Sequence, residues 1–188
     1  MVIVITGTPG TGKTTIAQIL AKKLKLEMIP VKKIVERNRG MYEFKKQSGE
    51  KVVDLDKLRK KLMDEIKKIK GRSIIIENHL LCDMKLPAKW VFVLRCKPEV
   101  LEKRMERRAY STAKIQENIL AEMLDYCTQK ARKNYKGKAR IVELDTSRRN
   151  KKSTVTQMIQ IINGTTKKGD KVDYSKQLRK WTLTKKDL

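Results

Sequence analysis

The chain has 188 residues, 39% of them hydrophobic and 36% charged, so its length suits one α/β domain with a single core and excludes two domains of average size. No apolar run approaches the roughly 20 residues that a membrane span requires. The three cysteines are widely spaced and form no C-x-x-C pair, which argues against a disulfide framework and against a thiolate metal site. We therefore expect a protein of the cytoplasm, or of the nucleus in a eukaryote, without contact to a membrane.

The formal net charge is +25, because 46 basic residues face 21 acidic ones. A potential of that sign attracts polyanions before any specific contact forms, which favours nucleic acid as a neighbour. The alternative is the densely charged surface of a thermophilic protein, but thermophiles raise both signs of charge together. The imbalance therefore favours a polyanion partner.

Hydrophobic periodicity predicts strands that alternate with helices. The predicted strands are 2–6, 26–29, 73–76, 90–94 and 139–144. The predicted helices begin near Lys13, at the capping residue Asp54, at Pro98, at the capping residue Ser111 and near residue 153. We expect the helix that Ser111 caps to run unbroken to about Gly137. This alternation indicates a three-layer α/β fold around a five-stranded parallel sheet over residues 1–163. Combined with the G-x-x-x-x-G-K-T sequence at residues 7–14, it predicts the P-loop NTPase architecture.

Two segments do not follow the alternation. Residues 31–53 have weak periodicity, many charges and two glycines, which predicts a small helical or irregular insertion that moves. Residues 164–188 form a tail with eight basic and three acidic residues. This composition predicts disorder in isolation, although Tyr174 and Trp181 leave docking on RNA or on a protein as the alternative.

The first predicted strand and helix are joined by a phosphate-binding loop. The residues spell G-x-x-x-x-G-K-T and are Gly7, Thr8, Pro9, Gly10, Thr11, Gly12, Lys13 and Thr14. Glycines let backbone N–H groups surround phosphate oxygens, and the helix N-terminus adds a partial positive charge. We expect Lys13 to contact the β- and γ-phosphates of a nucleoside triphosphate and the Thr14 hydroxyl to ligate Mg²⁺.

A magnesium site of this kind also needs a carboxylate at the end of a neighbouring strand, and Glu77 follows three isoleucines there. The alternative is a strand-end charge that points to solvent. His79, the only histidine, would share a strand face with Glu77 if the chain stays extended. It is a candidate catalytic residue beside the metal, or a passive polar group.

Arginines that could bind phosphate occur in two places. Lys103, Arg104, Arg107 and Arg108 precede a predicted turn and could close on the transferring phosphate, or they form a solvated basic helix face. Arg37 and Arg39, in the insertion, could bind the phosphate of a second substrate by bidentate contacts.

The sequence resembles the small nucleoside-monophosphate kinases, and within them the adenylate-kinase-like ribosome-assembly ATPases of the nuclear adenylate kinase isoenzyme 6 type, which archaea also possess. The resemblance covers about residues 1–162. Its motifs are G-T-P-G-T-G-K-T-T at 7–15, E-N-H at 77–79 followed by Cys82 and Asp83, W-V-F-V-L-R at 90–95, L-E-K-R-M-E-R-R-A-Y at 101–110 and K-I-x-E-N-I at 114–119.

The resemblance implies phosphoryl transfer from MgATP to AMP, which gives two ADP, with slower ATP hydrolysis in the same site. It implies a short lid at 104–113, in which Arg104 and Arg108 close over ATP, and it makes His79 catalytic. It also places Thr15, Thr146 and Ser147 at ATP, and Asp83 with the insertion at AMP. The implied biological role is late maturation of the small ribosomal subunit, with a ribosomal protein of the S11 type as partner. We expect a monomer outside that complex.

Three positions depart from the family pattern. Glu77 replaces an aspartate, Leu80 and Leu81 include an inserted residue, and Ala109 stands where glycine is usual, which stiffens the lid. The sequence leaves three functions open. These are an adenylate kinase with ATPase activity, an ATP-switched ribosome-assembly factor with little kinase activity, and a kinase for another small substrate.

Overall fold

A central parallel sheet organises the protein, whose computed structural model describes residues 1–44, 51–69, 71–166 and 168–184. The strands are β1 (Val2–Thr6), β2 (Glu27–Ile29), β3 (Tyr42–Phe44), β4 (Lys51–Val53), β5 (Ile74–Glu77), β6 (Trp90–Arg95) and β7 (Arg140–Asp145). Five of them pair in parallel in the order β2-β5-β1-β6-β7. The predicted five-stranded parallel sheet is confirmed, and β1 lies at its centre.

The helices are α1 (Lys13–Leu24), α2 (Val31–Arg37), α3 (Leu55–Lys68), α4 (Pro98–Glu106), α5 (Thr112–Met123), α6 (Tyr126–Tyr135), α7 (Lys151–Ile162) and α8 (Ser175–Thr184). Two predicted caps are confirmed. The Asp54 carboxylate accepts hydrogen bonds from the N–H groups of Asp56 and Lys57, and the Ser111 hydroxyl accepts one from Lys114. Across the described part of the chain, no helix has the length and apolar character needed to cross a bilayer.

Side chains of the strands alternate between the two faces of the sheet, and each face has its own core. Ile3 and Ile5 pack with α1 and α7, whereas Val2 and Val4 pack with α3 and α6. A third cluster joins α4, α5 and α8 beyond the carboxyl end of β6. The strands are buried on both faces because helices cover both, which is the three-layer arrangement that the sequence predicts.

The prediction of one helix from Ser111 to about Gly137 is wrong, because the helix is interrupted after Leu124. Asp125 adopts the left-handed conformation, with φ 53°, and α6 begins at the next residue. Its carboxylate contacts the Arg95 guanidinium. An unbroken apolar stripe on the helix surface carries no signal of this break, which an ion pair to a distant strand stabilises.

The prediction for the insertion is only partly correct. Residues 31–53 begin with α2, as a helical insertion would, but β3 and β4 then form an antiparallel hairpin in which Tyr42 pairs with Val53. Gly49, one of the two glycines used in that prediction, lies outside the described residues.

The expectation of a disordered tail is wrong for residues 168–184, apart from the side chain of residue 184, of which nothing is described. Asp170 donates its N–H to the Glu143 carbonyl beside β7, and Tyr174 is buried. Leu178 and Trp181 of α8 pack on the third cluster. Few apolar residues suffice here, because they meet a surface that α4 and α5 leave uncovered.

Arg95, at the end of β6, holds a buried network of ion pairs together. Its guanidinium donates to Glu122 Oε1 at 2.8 Å and to Glu143 Oε2 at 2.6 Å, and it also contacts Asp125. The side chains of Arg95 and Glu122 are both 1% exposed. The network therefore ties the sheet to the helices that precede and follow the break at Asp125.

Arg95→Leu should lower the free energy of unfolding by about 3–5 kcal/mol, because it leaves the buried Glu122 carboxylate without its cation. Urea denaturation measures the change. Arg132→Leu is the matched control, since Arg132 contacts the same Glu143 at 2.7 Å but is 67% exposed, and its loss should stay below about 1 kcal/mol. Equal losses for the two variants would contradict a structural role of the buried network.

Candidate functional site

The predicted phosphate-binding loop follows β1 and has the backbone that the motif requires. Gly7, Gly10 and Gly12 all have positive φ, at 134°, 92° and 95°. A Cβ atom on Gly7 would lie 2.3 Å from the carbonyl oxygen of Leu94, and one on Gly10 would lie 2.7 Å from Leu101. At Gly7 and Gly10 the loop therefore combines left-handed backbone with contacts too close for a side chain.

Lys13 and Thr11 donate hydrogen bonds to carbonyl oxygens of the same loop. Lys13 is buried, and its Nζ donates to the carbonyl oxygens of Gly7 at 2.9 Å and Thr8 at 3.0 Å. The Thr11 hydroxyl donates to the same Thr8 carbonyl at 2.9 Å. Burial lowers the pKa of Lys13, so a phosphate anion would replace two neutral acceptors with a charged one that stabilises the ammonium. Pro9 is half-buried on this loop, and Thr15 is half-buried in the first turn of α1.

The predicted magnesium ligands come together. Because β5 lies next to β1, its last residue, Glu77, meets the start of α1, and the Thr14 hydroxyl donates to Glu77 Oε1 at 3.1 Å. Both are oxygen donors at a solvent-accessible position, which suits Mg²⁺, an ion that uses one or two protein ligands and completes its shell with phosphate and water. Among the described residues, no group of three or more histidine, cysteine, aspartate or glutamate side chains is arranged so that it could hold a metal ion. A bound Mg²⁺ would neutralise phosphate charge at this point.

The backbone stays extended from Glu77 through Asn78, and His79 lies just beyond the strand that carries Glu77. β5 ends at Glu77, and His79 starts a 3-10 turn (His79–Asp83) that the Asn78 side chain caps by accepting from the Leu80 N–H at 3.0 Å. The side-chain hydroxyl of Thr6, at the end of β1, donates to the His79 carbonyl at 3.1 Å. The turn therefore holds His79 beside the loop, where it is close enough for the charge of Lys13 to affect its imidazole.

The pKa of His79 is lowered from 6.5 to about 4. The main cause is protein that displaces water from the imidazole, and repulsion by the charges of Lys13 and Lys114 is the next. The residue keeps an exposed surface, but the two lysines act in the same direction as desolvation, so the imidazole is neutral at pH 7. A neutral imidazole can accept a proton, as a general base must.

A pocket of about 790 Å³ lies against the loop and extends away from Lys13 toward the residues that follow β7. It is lined by Gly10, Thr11 and Gly12 on one side and by Thr146, Arg149 and Asn150 on the other. Besides Arg149, its basic lining residues are Arg104, Arg107, Arg108, Lys151 and Lys152. The pocket continues the phosphate loop and has room for a nucleoside.

Arg104 and Arg108 lie differently in this pocket. The Arg104 guanidinium donates to the Thr146 carbonyl at 2.7 Å and to the Thr146 hydroxyl oxygen at 3.1 Å, whereas Arg108 is an exposed residue of the lining. Ala109 follows with a φ of 54°, a conformation that costs an alanine about 1–2 kcal/mol. The turn after α4 is therefore formed by a strained residue where glycine would be relaxed.

Thr146 and Ser147 lie in the loop after β7. The Thr146 hydroxyl donates to the Thr11 carbonyl at 3.0 Å, which joins this loop to the phosphate loop. The Ser147 N–H donates to Asp145 Oδ1 at 2.8 Å. Of these two residues predicted to contact ATP, Thr146 lines the pocket, whereas Ser147 is not one of its lining residues.

The residues predicted to bind AMP are not assembled around this pocket. Asp83 accepts hydrogen bonds from the Tyr126 hydroxyl at 3.1 Å and contacts Lys130 Nζ at 3.4 Å. Arg37 is exposed at the end of α2 and lines a groove along β2. Arg39 is exposed in the following 3-10 turn. Their role toward a second substrate stays a prediction.

Sequence reasoning missed two groups that support the site. Glu122 accepts from the Thr8 hydroxyl through Oε2 and from the Cys96 N–H at 3.0 Å through Oε1, so it connects the phosphate loop to the residue that follows β6. Arg149 and Asn150 line the pocket beside the phosphate loop. A carboxylate in the apolar stripe of α5 was a signal for the first. The second has only the weak signal of lying just after a strand.

Because His79 is the only histidine, its imidazole carbon-bound protons give an isolated signal in an NMR titration. The midpoint should lie well below 6.5, near 4. Between these values the unfolded chain binds a proton that the folded protein does not, so stability should fall as the pH drops through that window.

Lys13→Ala should move the His79 midpoint back toward 6.5, because one repelling charge is removed. Lys22→Ala, which changes an exposed lysine elsewhere on α1, should leave it unchanged. A wild-type midpoint at or above 6.5 would contradict this description of the site.

Known proteins resemble this chain over most of its length. A family model described as "AAA domain" matches residues 3–125. A protein named "Putative adenylate kinase" from Methanocaldococcus jannaschii is 34% identical over 177 residues, which cover 94% of this chain and 94% of that protein. An "Adenylate kinase isoenzyme 6 homolog" from Caenorhabditis elegans is 38% identical over 136 residues, which cover 71% and 73%.

Solved structures share the fold at low sequence identity. Shikimate kinase from Acinetobacter baumannii aligns with a TM-score of 0.61 and 17% identity over 87% of this chain and 93% of that one. Deoxyadenosine kinase from M. mycoides with bound dATP aligns with a TM-score of 0.54 and 18% identity over 87% and 100%. With its phosphate loop and with matches that cover 94% and 71% of its length, this chain belongs to the family of P-loop kinases that contains the "Putative adenylate kinase" of M. jannaschii and the "Adenylate kinase isoenzyme 6 homolog" of C. elegans.

Proposed function

We propose that the protein is an adenylate kinase, which transfers the γ-phosphoryl group of MgATP to AMP and gives two ADP, and that it hydrolyses ATP slowly in the same site. The observation that carries the proposal is the Thr14–Glu77 oxygen pair, which lies beside Lys13 on a glycine-shaped loop. The names of the relatives support adenine nucleotides as substrates.

In this proposal each group of the site has one task. Lys13 exchanges its hydrogen bonds to the Gly7 and Thr8 carbonyls for contacts with the β- and γ-phosphates, and Thr14 with Glu77 would hold Mg²⁺. Phosphate oxygens bind to the backbone N–H groups of residues 10–15, whereas Pro9 has no N–H to donate. Because phosphoryl transfer depends mainly on positioning and on charge stabilisation, these groups supply most of the rate.

The lid and the turn after β5 complete the reaction. Arg108, which is exposed and lines the pocket, closes on the transferring phosphate. Arg104 holds Thr146, on the wall of the pocket where the nucleoside would lie. In the slower hydrolysis of ATP, neutral His79 accepts a hydrogen bond from the attacking water or takes its proton. We assign AMP to the side of Arg37, Arg39 and Asp83, where the insertion would move to enclose it.

Two other phosphoryl acceptors are alternatives to AMP in this proposal. The fold also serves kinases named for other acceptors, such as shikimate kinase, so a different nucleotide or a sugar acid is a possible substrate. Water is the acceptor if the protein works as an ATP-driven switch. The phosphate loop is the same in all three cases, and only the acceptor side differs.

An enzyme-coupled assay for ADP distinguishes the acceptors. AMP should raise ADP production from MgATP at least about tenfold over hydrolysis, because a positioned acceptor replaces a poorly held water. Lys13→Ala should abolish both activities, and Lys22→Ala should preserve them. If hydrolysis persists in the wild type while AMP has no effect, the kinase proposal is wrong and the switch is favoured.

We also propose that the protein acts in maturation of the small ribosomal subunit, with a ribosomal protein of the S11 type and ribosomal RNA as partners. The net charge of +25 supports a polyanionic setting, and the motif at 114–119 supports this branch of the kinases. One nucleotide site can serve both as an ATP-driven switch and as the site of a kinase reaction. This role therefore does not compete with the first proposal.

Binding to ribosomal RNA should weaken steeply with salt, because each neutralised phosphate releases counterions. We expect the affinity to fall at least about tenfold between roughly 50 and 200 mM salt, as measured by fluorescence anisotropy. A smaller decrease would contradict RNA binding through the basic surface. Pull-down with the purified S11-type protein tests the protein partner separately.

A further inference from the structure

The segment after α7 returns to the nucleotide site, although it lies outside residues 3–125 that the family model matches. Asp170 is its point of contact. Its Oδ2 accepts from the Asp145 N–H at 2.7 Å, and its Oδ1 accepts from Arg149 Nη2 at 2.8 Å. Its own N–H donates to the Glu143 carbonyl at 2.9 Å. One carboxylate therefore bridges both ends of the loop that follows β7.

That loop, residues 145–150, forms one wall of the pocket beside the phosphate loop, and we call it the base-side loop. Thr146, Arg149 and Asn150 line the pocket. A nucleotide with its phosphates on Gly10–Gly12 would extend its nucleoside between these residues and Arg104. The position of the base-side loop therefore bears on the nucleoside half of a bound nucleotide and leaves the phosphate half to Lys13 and the glycines.

Asp170 is itself held on both sides. Before it, Gly169 packs so closely on β7 that a Cβ atom would lie 2.6 Å from the Glu143 carbonyl oxygen. After it, Tyr174 is 4% exposed with its ring 5.3 Å from the Arg95 guanidinium carbon, and Leu178 and Trp181 pack on the cluster of α4 and α5. The segment 169–181 thus fixes the carboxylate before any ligand arrives, which is preorganisation of the base-side loop.

We propose that Asp170 is a positioning residue for the nucleoside half of the ATP site. It fixes Arg149 and the Asp145 backbone, and through them the wall that the base and ribose contact. Without its carboxylate, the Asp145 N–H loses its acceptor and Arg149 loses a charged partner, so the base-side loop must be ordered when the nucleotide binds. The inference rests on the proposed binding of ATP to this site.

Calorimetric titration of the full chain with two probes tests the proposal, with ATP for the whole site and inorganic tripolyphosphate for the phosphate loop alone. Asp170→Ala should weaken ATP about tenfold, roughly the effect of one charge-assisted hydrogen bond, and change tripolyphosphate less than about twofold. Asp170→Asn, which keeps an acceptor for the Asp145 N–H but loses the charge, should fall between the wild type and Asp170→Ala.

The matched control is Asp173→Ala, which removes the same charge from the same segment. Asp173 is exposed and accepts only the local Ser175 N–H among its described hydrogen bonds, at 2.8 Å, so its loss should leave both affinities unchanged. Hydrogen exchange at the Asp145 amide gives a readout without any ligand, and this amide should exchange faster in Asp170→Ala only.

Three results would overturn the inference. These are equal losses for ATP and tripolyphosphate in Asp170→Ala, which indicate general destabilisation, the same loss in Asp173→Ala, and unchanged ATP affinity in Asp170→Ala. In each case the wild type still binds ATP, so the proposed function survives. If the wild type binds tripolyphosphate and not ATP, the proposed function fails and this inference fails with it.

Discussion

The buried ion pair between Arg95 and Glu122 is the interaction on which the rest of the site depends. Arg95 ends β6, and Glu122 belongs to α5, so the pair joins the sheet to that helix. A buried carboxylate needs a hydrogen-bond donor at each oxygen. Glu122 Oε1 accepts from Arg95 and Cys96, and Oε2 accepts from Thr8 of the phosphate loop. The buried ion pair therefore also holds the phosphate loop in place.

Cationic groups dominate the side on which a ligand would approach. Lys13 is buried at the loop, arginines line the pocket beside it, and the charge of Lys13 helps to keep His79 neutral. A field of this sign favours anions at the site and leaves an uncharged imidazole beside it that can accept a proton. The chain as a whole also carries an excess of positive charge, with a formal net charge of +25.

The C-terminal segment connects parts of the structure that the family domain leaves separate. Tyr174 covers Arg95, α8 packs on α4 and α5, and Asp170 holds the base-side loop. These contacts link the buried network, the helices α4 and α5 and the pocket beside the phosphate loop. A rearrangement of α4 and α5 would therefore reach the base-side loop through packed side chains and two charged hydrogen bonds.

The sequence by itself determined the local parts of this protein. The phosphate loop, its lysine and the carboxylate of Glu77 follow from residue types at fixed offsets from two strands, and alternating apolar runs determined the parallel sheet that brings the ends of those strands together. Only the tertiary structure decided the break at Asp125, the role of Glu122 and the return of Asp170 to the base-side loop. Each of these depends on a partner at least 20 residues away in the chain, and periodicity reports which face of a helix or strand is buried but not which distant residue it meets.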